Sequence, residues 1–182
     1  MKIRRTLAAV LVVAALAACG EQPTEPRAPA AAPAQVLGGL IDLNGVLQFA
    51  GLPDLSGTRH AEKFIDASEG GFVELDGFRV DIPAGALPYD ATVTIDLPTD
   101  NVLGKRLIAE FGPHGIQFNT PVTLTFPLTG VVLNGNPIGV ARWENGGWTE
   151  LGGSVTANGT KLTGSTPRFS TYGGKYILTS SN

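Results

Sequence analysis

His60 and His114 are the only imidazoles of this 182-residue chain, and Cys19 is its only cysteine. A zinc site needs three or four such ligands brought together. With no Cys/His cluster and no His-x-x-x-His pair, one would have to be assembled from distant residues, and Pro113-His114-Gly115 reads as a turn histidine. Asp96, Asp100 and Asn101 could offer oxygen to calcium, yet they lack the one-three-five spacing of a dedicated loop. No Gly-x-Ser-x-Gly elbow presents a serine nucleophile, and no glycine-rich loop leads into a helix to cradle phosphate. Trp143, Trp148, Tyr172 and Tyr176 could form a flat platform for sugar stacking, with Trp143 and Trp148 as the candidate ligand-binding pair. The competing reading makes them core or cross-strand partners. These residues predict no catalytic centre, no metal and no cofactor.

Cys19 has its own context. Lys2, Arg4 and Arg5 precede Leu7 to Ala18, a continuous apolar run of 12 residues that is too short to span a bilayer. The run ends Leu16-Ala17-Ala18-Cys19-Gly20, which resembles the lipobox of bacterial lipoproteins. The resemblance implies cleavage after Ala18 and acylation of Cys19. Two or more acyl chains hold a protein stably at a bilayer, so Cys19 would anchor the chain without a transmembrane helix. Gly20 is not the aspartate that keeps such proteins at the inner membrane, so the resemblance points to the outer membrane or cell surface. With its only cysteine acylated, the domain can form no disulfide and must hold together by burial.

The rest of the chain must position these groups. Loss of residues 1–18 takes the basic count from 13 to 10 against 16 acids, a net charge near -6. That balance argues against nucleic acid as a partner. Glu21 to Ala34 carries Pro23, Pro26, Pro29 and Pro33, a spacing that blocks helix and sheet and predicts a semi-extended tether over residues 19–35. Val36 to Phe49 is apolar but interrupted by Gly38, Gly39 and Gly45, which leaves open a short helix packed on the domain or a loose apolar linker near the membrane. Asp54 to Glu69 reads as a connection.

From Gly70 the pattern is all-β. With 24 glycines, 13 prolines and 16% charged residues, the composition favours many short strands and turns. Phe78, Val80 and Ile82 alternate with Arg79 and Asp81; Val93, Ile95 and Leu97 with Thr92, Thr94 and Asp96; Val122, Leu124 and Phe126 with Thr123 and Thr125. Each buried Val, Leu, Ile or Phe contributes about 1.5 to 3 kcal/mol, so a one-residue slip would forfeit several at once and register is well specified. Asn134-Gly135, Asn145-Gly146 and Asn158-Gly159 divide the later strand-like runs, predicting hairpins around Asn145 and Asn158. The expectation is a single antiparallel β-sandwich over residues 70–178, with 179–182 a tail.

In chain order, Gly70-Gly71, Ile82-Pro83-Ala84-Gly85-Ala86-Leu87, Gly115-Ile116-Gln117-Phe118, Pro121-Val122-Thr123-Leu124, Trp148 and Phe169-Ser170 resemble the ZU-five domain of ankyrins, netrin receptors and zonula occludens proteins. The resemblance spans roughly Ala67 to Leu178 and implies a sandwich that mediates protein contacts or serves as a structural module. Some relatives cut their own chain at His-Phe-Ser, where histidine activates the serine. Here Phe169 and Ser170 match, but Arg168 stands in the histidine position. Arginine stays protonated near neutral pH, so the general base is missing. The sequence therefore reads as a non-enzymatic, lipid-anchored cell-envelope protein whose partners are the membrane, through Cys19, and an envelope protein or polysaccharide. A carbohydrate-binding surface module is the alternative, and self-processing at Phe169/Ser170 a weaker one.

Overall fold

The structure, a computed structural model, describes residues 42–51, 57–100 and 102–177. The expected leader, Cys19, the expected tether, residues 36–41 of the apolar segment and the 179–182 tail lie outside the described residues. Among those described, the chain is all-β. The strands are β1 His60–Ile65, β2 Gly71–Leu75, β3 Phe78–Ile82, β4 Ala91–Asp96, β5 Ile108–Gly112 and β6 Gln117–Pro127. They continue as β7 Ile138–Glu144, β8 Gly147–Gly152, β9 Ser154–Val155, β10 Lys161–Arg168 and β11 Thr171–Tyr176, and Leu103–Lys105 forms a 3-10 turn.

Two antiparallel sheets pack face to face, one ordered β1-β4-β5-β11-β7-β8 and the other β2-β3-β6-β10-β9. The period-two pattern decides what lies between them. Phe78, Val80 and Ile82 from β3, Val93 and Ile95 from β4, and Val122, Leu124 and Phe126 from β6 all point inward and are buried, while Arg79, Thr94 and Thr123 face out. Four aromatic rings join the sheets edge to face: Phe78 meets Phe126 at 5.6 Å, Phe126 meets Phe111 at 6.1 Å, and Phe111 meets Tyr172 at 5.9 Å.

The hairpin expected around Asn145 joins β7 to β8, with Asn145 (φ 52°) and Gly146 (φ 78°) both left-handed as a tight turn requires. The one around Asn158 joins β9 to β10. A third tight turn, Asp76-Gly77, connects β2 to β3 with the same geometry (φ 50° and 83°).

Two expectations are corrected. The segment read as a connection contains β1, which pairs residue by residue with β4 and extends the sandwich beyond Gly70. Its pattern was masked because it is an edge strand: only Ile65 is buried, and His60, Glu62 and Lys63 are the charged or polar residues that keep an open edge from pairing with other chains. Residues 42–51 form neither a helix nor a loose linker. Val46 and Leu47 are buried, and the segment bridges to Lys175, Arg106 and Val131.

Leu47 is wedged between β5 and β11: its N–H donates to the Gly174 carbonyl, and its carbonyl accepts from Leu107 N–H. Leu47→Ala is expected to cost about 2 to 5 kcal/mol in urea unfolding, while Ala at the exposed Gln48 should cost little. Equal, negligible losses would mean that this segment is not part of the cooperative fold.

Candidate functional site

Cross-strand partners in an antiparallel sheet share a face, so pairing can be followed from strand to strand. On the outer face of the six-stranded sheet His60 pairs with Asp96, Asp96 with Glu110, Glu110 with Thr171, Thr171 with Trp143, and Trp143 with Trp148. One row thus crosses all six strands. It gathers His60, Asp96, Trp143 and Trp148, four residues marked in the sequence, and His114 joins from the turn after β5.

The acidic half of the row holds two imidazole–carboxylate pairs. His60 Nδ1 lies 2.6 Å from Asp96 Oδ1, and this hydrogen bond raises the imidazole above its ordinary value. His114 Nε2 lies 3.4 Å from Glu110 Oε1. Glu110 is only 8% exposed, and burial, with the Asp96 charge second, pushes its carboxyl up; burial also pushes the His114 imidazole down. No group of three His, Cys, Asp or Glu converges to hold a metal ion among the described residues. Asp100 does not join Asp96. Its Oδ1 accepts the N–H groups of Val102 and Leu103 and so caps the 3-10 turn, and Asn101 lies outside the described residues.

The aromatic half is packed. Trp143 and Trp148 meet edge to face, 5.3 Å apart at 63°, and do not form one coplanar surface. The Trp148 indole N–H donates to the Asp42 carbonyl, and its ring covers Gly173, where an added Cβ would come within 3.0 Å of it. Tyr172 and Tyr176 are not on this row. Tyr172 is fully buried between the sheets, and the half-buried Tyr176 donates its hydroxyl to the Val132 carbonyl, so the four aromatics do not assemble into a platform.

Phe169 and Ser170 form the crossover where the chain leaves one sheet, at the end of β10, for the other, at the start of β11. Phe169 is buried against Phe118 at 4.7 Å. Ser170 Oγ donates to the Trp143 carbonyl at 3.1 Å, an acceptor that cannot take its proton. Arg168 is ion-paired with Glu144, which also binds Arg142, and the Tyr172 hydroxyl donates to the Arg168 carbonyl. The crossover is held by a polar network, and no imidazole is among its contacts.

Glu110 and the Arg142–Glu144–Arg168 network escaped the sequence reading. A single acid inside the apolar run Ile108-Ala109-Glu110-Phe111 was the available signal for the first. The second depends on the crossover and has no local signature. No family model and no curated protein matches this chain.

Two predictions follow from the two halves of the row. Because Glu110 titrates above its ordinary 4.5, its ionised form is disfavoured in the fold, and stability present at low pH is lost as pH rises through the raised value. Glu110→Gln should therefore be more stable than wild type near about pH 7, with the gap closing toward about pH 4 in urea melts; a constant gap would refute the assignment. Trp148→Ala should lower stability by about 2 to 4 kcal/mol and expose Gly173 and the 42–46 segment to hydrogen exchange.

Proposed function

We propose that this chain is a lipid-anchored cell-envelope protein whose ZU-five-like sandwich acts as a non-enzymatic binding or scaffolding module. The observation that carries the reading is Leu16-Ala17-Ala18-Cys19-Gly20 at the end of a basic-then-apolar leader, the arrangement that acylation of a cysteine requires. The all-β architecture is compatible with a module held by a tether at one end. Ser170 bonded to a carbonyl, and Arg168 committed to Glu144, favour a fixed crossover over self-cleavage. The edge-to-face packing of the tryptophans weighs against a flat platform for stacking on a polysaccharide.

Cys19→Ala should move the protein from the membrane to the soluble fraction, and intact mass should place acyl groups on the mature wild-type N-terminus. The same spectrum should hold one species uncut between Phe169 and Ser170. A wild-type protein that stays soluble with a free Cys19 thiol would sink the anchored reading, and two fragments would reinstate self-processing.

A further inference from the structure

The described chain begins beside one end of the sandwich. Leu43, Val46, Arg106, Val132 and Tyr176 line one cavity of about 380 Å³ there. Residues 46–49 pass between two loops: Phe49 N–H donates to the Lys105 carbonyl on one side, and Val132 N–H donates to the Gln48 carbonyl on the other. The tips of both loops are apolar and bare, with Val102 61%, Val132 45% and Leu133 47% exposed. Lys105 is exposed beside them, and Arg106 is half-buried. Of the acids at this end, Asp42 and Asp100 accept neighbouring backbone N–H groups, and Asp76 is paired with Arg59 at 3.7 Å.

The opposite end has the other character. Its turns 66–70 and 83–90 carry Asp66, Glu69 and Asp90 and no lysine or arginine, while Arg142 and Arg168 at the β10–β11 crossover are both ion-paired with Glu144. An anionic lipid surface would therefore repel that end and accept the one with Lys105 and Arg106. The 23 residues from Cys19 to Ile41 could hold the domain roughly 80 Å from a membrane at full extension, so the tether permits contact without enforcing it. Contact is decided by the surface. A tethered domain meets the bilayer at high effective concentration, and a few apolar side chains that could not bind alone then suffice.

We propose that this end is a membrane-contact face, seating Val102, Val132 and Leu133 in the headgroup layer of the bilayer that holds acylated Cys19, with Lys105 and Arg106 against lipid phosphates. It rests on the lipoprotein reading above. The test uses the full chain made in a bacterial host that acylates lipoproteins, with Val132→Cys, Leu133→Cys and, at the opposite end, Tyr89→Cys as separate variants. With Cys19 acylated, each new cysteine is the only free thiol, and it is labelled with a polarity-sensitive fluorophore. The protein is then reconstituted into vesicles of phosphatidylethanolamine and phosphatidylglycerol.

The expected result is a blue shift and loss of iodide quenching at positions 132 and 133, with position 89 still quenched. If the protein floats with the vesicles while 132 and 133 remain as quenched as 89, or if only 89 is shielded, the face is wrong and the anchor stands. If unsubstituted protein takes the label at Cys19 and stays off the vesicles, the lipoprotein reading fails and takes this proposal with it.

Discussion

The edge-to-face run Phe78, Phe126, Phe111, Tyr172 is the contact on which the two sheets depend. With one cysteine in the chain, no covalent link can close the sandwich, and the layers stay together only through what they bury between them. Aromatic rings suit that task because each covers a large area and edge-to-face pairs add about 0.5 to 1.5 kcal/mol beyond burial. Tyr172 also carries the one polar group at the end of this run. Its buried hydroxyl needs partners, and it finds Thr166 Oγ1 at 2.7 Å and the Arg168 carbonyl.

That requirement links the core to the crossover. Satisfying Tyr172 fixes the backbone at Arg168, the Phe169 ring fills the space beside Phe118, and Ser170 ties the start of β11 to Trp143 on β7. A residue pair that resembles a cleavage site thus sits where the chain changes sheets, and its side chains are spent on making that change rigid. The same fixed β11 sets the outer face. It places Thr171 between Glu110 and Trp143, and it presents Gly173 as the gap that Trp148 covers.

Legibility in the sequence followed burial. β3, β4 and the second half of β6 bury one face, so their apolar residues recur with period two and could be read without a structure. β1 lies at an edge and buries one side chain, which leaves almost no periodic signal. Residues 42–51 were ambiguous for a related reason: their apolar residues pack on two different clusters, Leu47 with the main core and Val46 with Leu103 and Ile108 outside it, so neither helical nor strand spacing describes them. For the outer row, the residue types were visible but not their neighbours. His60 and Asp96 are 36 positions apart, and only the β1–β4 register makes them partners.

By itself the sequence determined the all-β class, the hairpins at Asn145 and Asn158 and the inward faces of the central strands. All are local properties, set by hydrophobic spacing and turn chemistry within a few residues. Tertiary structure alone decided that His60, Asp96, Glu110, Trp143 and Trp148 share one line, that Tyr172 belongs to the core while Trp148 covers a glycine outside it, and that apolar loop tips gather at the end where the described chain begins. These depend on strand order, β1-β4-β5-β11-β7-β8, in which neighbours come from distant parts of the chain. Pairing energy between such strands depends on the sum of many cross-strand contacts, and no short stretch of sequence contains both sides of any one of them.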